Sequence, residues 1–141
     1  MSAPVMSAAC PGHRLLGRAR LPGHRLAFTR RSVRTGTGVV DIVEDPRGVV
    51  WGVLYEVTDA DLESLDRKEG AGWAYARHDM RVYADDGSPR DALAYVVIEK
   101  ATEEIAPSAA YSRGLIEAGR ERGLPEEYVA SLAAIAPATA G

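Results

Sequence analysis

The stretch Gly52-Val-Leu-Tyr-Glu-Val-Thr-Asp-Ala-Asp-Leu-Glu-Ser-Leu-Asp-Arg-Lys-Glu-Gly70 carries a strand directly into a short capped helix. Valines and aromatics from Val49 to Val57 read as strand. Thr58 or Asp59 offers a side-chain acceptor to the first free amides, and Asp61 adds negative charge to the first turn, so the helix starts near Asp59. At about 100° per residue, Leu62 and Leu65 define its buried stripe and Glu69 falls between them. Glu63, Ser64, Arg67 and Lys68 take the other side. Gly70 is the left-handed residue that closes the helix, which leaves Glu69 in a last turn rich in unpaired carbonyls. The dipole opposes ionisation there by roughly 0.3–1 kcal/mol, and desolvation adds to it. A carboxyl of raised proton affinity suits a general acid/base. A solvated helix-end glutamate is the alternative that these residues leave open.

The 141 residues suffice for one domain with a real core. A net charge of -3 gives no global attraction to nucleic acid or to an anionic membrane. The single cysteine, Cys10, excludes an internal disulfide framework and fits a reducing compartment. The run Val49–Val57 is too short to span a bilayer, and the first ten residues lack the basic start and apolar middle of a secretory signal. The expectation is a soluble, cytoplasmic protein. Residues 1–40 hold seven arginines and no acid (Arg14, Arg18, Arg20, Arg25, Arg30, Arg31 and Arg34), which reads first as a solvated strand face. Gly and Pro interrupt the helix that an organelle presequence would need, and Phe28 is the one aromatic that nucleic-acid binding would find there.

Strands come first and helices last. Arg25–Arg31 alternates as a half-buried strand. Gly38–Glu44 and Val49–Val57 flank Asp45-Pro46-Arg47-Gly48, a turn that predicts a hairpin. Gly52 within the second of these hints at a bulge or a close backbone approach. Tyr75–Tyr83 and Ala92–Ile98 bracket Asp85–Pro89 as a second hairpin, for at least five strands in all. Ser108 caps a helix through about Arg122 with the stripe Tyr111, Leu115 and Ala118, and Gly123 ends it. Pro125 opens another with Tyr128, Leu132 and Ile135 inward, and Pro137 stops it. The result is an α+β domain over 13–136 with a curled or closed sheet, a variable segment over 1–12 and a tail over 137–141.

His13, His24 and His78 have no metal-ligand spacing, and no nucleotide-binding loop is present. The chemistry open to such a chain runs without metal, cofactor or covalent nucleophile.

Several segments, in order and spacing, resemble the γ-glutamylcyclotransferases. They are Cys-Pro-Gly-His-Arg-Leu-Leu-Gly at 10–17, Leu-Pro-Gly-His-Arg-Leu-Ala-Phe at 21–28 and Gly-Val-Val-Asp-Ile-Val at 38–43, then Val-Trp-Gly-Val-Leu-Tyr-Glu-Val at 50–57 with Leu-Asp-Arg-Lys-Glu-Gly at 65–70. Pro-Ser-Ala-Ala-Tyr at 107–111 and Gly-Leu-Pro-Glu-Glu-Tyr at 123–128 complete the match. The resemblance implies a small mixed β-barrel with a short helix after the central strand and two C-terminal helices. It implies Glu69 as catalytic acid/base, Tyr75 and Tyr111 as substrate-pocket residues, and no cofactor. The reaction implied is cyclisation of a γ-glutamyl amine to 5-oxoproline and a free amine. The family's N-terminal Tyr-Gly-Ser-Asn strand has no counterpart in this sequence. A late start assignment, an element supplied by a partner, or a kept fold without the reaction each accounts for that. A barrel edge left exposed predicts a homodimer. Two other classes are a non-catalytic ligand-binding or interaction domain, and an anion- or nucleic-acid-binding module built on the arginines from Arg14 to Arg34.

Overall fold

The computed structural model describes residues 12–138. The expected variable segment apart from Gly12, Cys10 with it, and the end of the tail lie outside the described residues. Among the described residues no helix is long and apolar enough to cross a membrane.

Two strands, β1 (Arg14–Arg31) and β2 (Gly38–Glu56), form one long antiparallel hairpin around a turn at 32–37. This corrects the hairpin expected around Asp45–Gly48. Both flanks of that turn pair with β1 on the same side, as Glu44 with His24 and Val49 with Pro22. The turn chemistry is spent on bending the ribbon instead. Asp45 Oδ1 accepts from the Arg47 amide at 3.1 Å, opposite Pro22-Gly23, where Gly23 has φ +74°. A Cβ on Gly48 would lie 2.3 Å from the His24 carbonyl oxygen, so only glycine fits where the bent strands meet. Gly52, by contrast, pairs in regular register with Ala19 and has open space where a side chain would stand, so neither expected reason for that glycine applies.

Helix α1 (Asp59–Glu69) follows as expected. Thr58 and Asp61 form a reciprocal capping box, and Gly70 takes φ 63° and ψ 49°. The second hairpin, β3 (Tyr75–Ala84) and β4 (Pro89–Val97), is also where the sequence puts it, and pairs from Tyr75–Val97 to Tyr83–Pro89. Ladder pairs of Ala19 with Ala84 and Arg20 with Tyr83 join the hairpins, giving the order β2-β1-β3-β4. The sheet is antiparallel and open, so β2 and β4 are its edges; the barrel is not closed.

Helices α2 (Ala109–Glu121) and α3 (Glu126–Ala133) end the fold. Ser108 caps α2 by accepting from the Tyr111 amide at 3.1 Å. The inner face of α3 centres on Val129, which is 0% exposed, with Leu132; the helix stops before Ile135. Val129 packs on Gly119 of α2, where a Cβ would come within 3.3 Å of it. Ala19, Leu21, Ala27, Phe28, Val50, Leu65, Ala74, Val96 and Val97 complete the core. Three of the seven arginines in the basic run form ion pairs: Arg14 with Glu56, Arg18 with Asp85 and Arg25 with Glu104.

Candidate functional site

The last turn of α1 points Glu69 into a cavity of about 770 Å³ that Tyr75 and Tyr111 also line. The three residues singled out in the sequence therefore come together. Among the described residues lining this cavity, Glu69 is the one acid. Burial pushes its carboxyl above the usual glutamate range, while neighbouring Lys68 pulls the other way. Leu65 packs under it against Tyr55, Val57 and Tyr95, so the stripe that carries Glu69 inward is the one read from the helical period.

A tight turn ties the helix end to Tyr75. The Gly70 carbonyl accepts from the amides of Trp73, Ala74 and Tyr75 at 3.2, 2.9 and 3.3 Å. Burial, with Tyr111 and Glu69 nearby, pushes the Tyr75 phenol up to about 12. Tyr111, in the first turn of α2, is raised by burial too, against a hydrogen bond from Val40, and its ring meets Phe28 edge-on at 6.4 Å. Both phenols are thus neutral around pH 7, available as hydrogen-bond donors and acceptors rather than as bases.

Both tyrosines also touch one strand residue. The Tyr111 hydroxyl accepts from the Val40 amide at 3.1 Å, and the Tyr75 hydroxyl donates to the Val40 carbonyl at 3.4 Å. β1 bulges opposite Val40, which has no ladder partner, and β2 is an edge strand whose alternate residues turn their N–H and C=O groups away from β1. Arg30 pairs with Val39 and Ala27 with Asp41, so Phe28 and Thr29 face Val40 alone. The bulge has its own partners: the Thr29 and Phe28 carbonyls accept from the Ala101 and Ile105 amides at 2.7 and 2.8 Å, and Glu104 accepts from the Phe28 amide at 3.2 Å. Next to it Asp41, 1% exposed, accepts from Thr29 Oγ1, Lys100 Nζ and the amides of Ile42 and Val97 at 2.6–2.9 Å. Four donors satisfy a carboxylate that would otherwise be costly to bury.

The rim also carries Arg30, Lys68 and Trp73, none of which the sequence distinguished. Arg30 sat within the basic run and Lys68 on the outer helix face; the length of a lysine side chain carries it back to the rim. A second cavity of about 770 Å³ meets the first at Glu69, and Trp51, Leu54, Leu93 and Leu132 give it an apolar wall.

An open antiparallel sheet thus carries a cavity lined by a carboxyl-bearing helix end and by the half-buried phenols of Tyr75 and Tyr111. Residues 49–132 match the AIG2-like family. The gamma-glutamylcyclotransferases of Mus musculus and Homo sapiens are each 30% identical over 124 residues, covering 84% of this chain and 65% of theirs. The chain thus spans less than two thirds of the length of these curated relatives. A solved gamma-glutamyl cyclotransferase superposes with a TM-score of 0.91 at 26% identity, over 99% of this chain and 84% of that one. The chain belongs to the AIG2-like family and carries the γ-glutamylcyclotransferase fold.

Proposed function

We propose that this protein is a γ-glutamylcyclotransferase that works without a cofactor. The substrate's own α-amine attacks its γ-carbonyl carbon, a C–N bond closes the five-membered ring, and the amide C–N bond to the leaving amine breaks. The products are 5-oxoproline and a free amine. Glu69 takes the proton that the attacking ammonium sheds and returns one to the leaving nitrogen. A carboxyl of raised proton affinity is suited to both transfers. Because the nucleophile belongs to the substrate, the site has to fold a flexible glutamyl chain into a near-attack geometry. The neutral phenols of Tyr75 and Tyr111 serve that end by lining the space beside the carboxyl.

The observation that supports this most is the isolation of Glu69: it is the single acid, among the described residues, lining a cavity that Tyr75, Tyr95 and Tyr111 also line. The relatives' names supply the reaction class. The test is mass spectrometry of 5-oxoproline released from a panel of γ-glutamyl amino acids and amines. The wild type should release it from at least one of them, and Glu69→Gln should lower the rate by roughly 10²–10⁴-fold. Release by Glu69→Gln at the wild-type rate, or none by the wild type, overturns the reading.

A further inference from the structure

Trp73 is a large aromatic left 68% exposed at the rim of this cavity. It is not loose. Its indole lies against the Gly70 backbone, where a Cβ would come 2.6 Å from the ring. It also carries the Arg30 guanidinium 5.2 Å from its ring centroid. Gly70, Trp73 and Arg30 thus lie together beside Glu69. A guanidinium lying over an aromatic ring uses its face for that contact and leaves its in-plane N–H groups available as a fork, the geometry that takes a carboxylate in two parallel hydrogen bonds. Arg18 lies over Trp51 in a similar way, but its Nε donates to Asp85 and its Nη1 to the Gly123 carbonyl. Among the described residues Arg30 makes no ion pair, and the one acid on the cavity wall is Glu69. Lys68 adds a second positive charge to the same rim. The bulge also fixes where Arg30 stands, because its ladder partner Val39 precedes the Val40 that both tyrosines hold.

We propose that Arg30, seated on Trp73, is a carboxylate-binding residue of this site, so that the substrate is recognised by a carboxylate at the rim while its amide lies at Glu69. This inference rests on the cyclotransferase reading. A γ-glutamyl amino acid offers two such groups, the α-carboxylate of the glutamyl head and that of the leaving amine, and the chemistry of recognition is the same for both.

The test compares γ-glutamylalanine with γ-glutamylethylamine, which differs only by lacking the second carboxylate. Arg30→Gln should raise KM for γ-glutamylalanine by roughly ten- to a hundredfold, the worth of a charge-assisted pair. It should do so with little change in kcat, and Arg30→Lys should restore part of the loss. An effect confined to γ-glutamylalanine assigns the bound carboxylate to the leaving amine, and an equal effect on both substrates assigns it to the glutamyl head. Turnover by the wild type with unchanged KM in Arg30→Gln overturns the proposal and leaves the reaction standing. If the wild type turns over neither of these two substrates, calorimetric titration of γ-glutamylalanine into the Glu69→Gln protein decides the subsite. Binding that weakens at least tenfold with Arg30→Gln added supports it; no binding, or binding indifferent to Arg30, overturns it.

Discussion

Tyr75 and Tyr111 close on the same residue: the Tyr111 hydroxyl accepts from the Val40 amide at 3.1 Å, and the Tyr75 hydroxyl donates to the Val40 carbonyl at 3.4 Å. One peptide segment of β2 therefore sets the spacing of two phenols that enter from β3 and α2. It can do so because Val40 lies on an edge strand, opposite the β1 bulge and without a ladder partner. The bulge in turn is held by the 101–105 segment and by the buried Asp41. The geometry beside Glu69 thus rests in part on Phe28, Thr29, Asp41 and the 101–105 segment, which do not themselves line the cavity.

The two bonds differ in what their loss leaves behind. Tyr111→Phe strands an amide, for which a missing partner is costly, and should lower stability by about 1–2 kcal/mol. Tyr75→Phe removes a long bond to a carbonyl, which tolerates under-satisfaction better, and should cost less. Urea denaturation of the two variants measures both. A larger loss in Tyr75→Phe would show that ring packing, not the Val40 bonds, decides.

Glu69 should leave an opposite mark on stability and on rate. Its folded proton affinity is raised by burial, so the stability it contributes is present below its unfolded value of about 4.5 and is lost as pH rises through the folded value. Glu69→Gln, which mimics the neutral acid, should therefore raise the urea midpoint at pH 7 and leave it nearly unchanged at pH 4. On the proposed mechanism, kcat/KM in the wild type should fall on acidification with a midpoint above 4.5. Lys68→Gln removes the charge that favours the carboxylate and should move that limb to higher pH. A limb that stays put in Lys68→Gln would separate it from Glu69.

Local chemistry made α1, its caps and the 75–97 hairpin legible, because each is decided by residues within a few positions of one another. Glu69, Tyr75 and Tyr111 were reached by period and by resemblance, and the fold brings them to one cavity. Elements decided at long range were misread. Asp45-Pro46-Arg47-Gly48 has all the chemistry of a turn, and only the pairing of both its flanks with β1 reveals a bend instead. Val40 acts through backbone groups, which no side-chain pattern announces. Arg30 differs from its six neighbours in the basic run only by lying within reach of Trp73, a contact across the fold.

Gly70 serves two purposes that substitution should separate. Its φ of 63° strains any L side chain, and the Trp73 ring already fills the place of a Cβ. Gly87, at φ +83° in the 84–89 turn, has open space there. The backbone strain common to both is about 1–2 kcal/mol. Gly70→Ala should therefore destabilise by more than Gly87→Ala, and it alone should displace Trp73 and change the tryptophan emission. Equal losses with unchanged emission would mean that the ring gives way freely.

Beneath the site, Asp66 accepts from Arg77 Nε at 2.9 Å and Tyr95 Oη at 2.6 Å, and Arg77 Nη2 pairs with its second oxygen. The Arg77 hydrogen bonds, then that of Tyr95, hold its carboxyl down at about 2. A depressed carboxyl works in the opposite sense to Glu69: its contribution is present above the unfolded value near 4 and is lost as pH falls through about 2. The wild type should therefore lose stability between pH 4 and 2 more steeply than Arg77→Gln, with Tyr95→Phe between them. Tyr95 lines both cavities that meet at Glu69, so releasing its hydroxyl from Asp66 should also raise KM in the cyclisation assay, whereas Arg77→Gln, which leaves that bond in place, should change KM less. Denaturation midpoints taken across that acid range for the three proteins, together with KM at neutral pH, test the assignment; a limb of equal steepness in all three would mean that another carboxylate sets the acid stability.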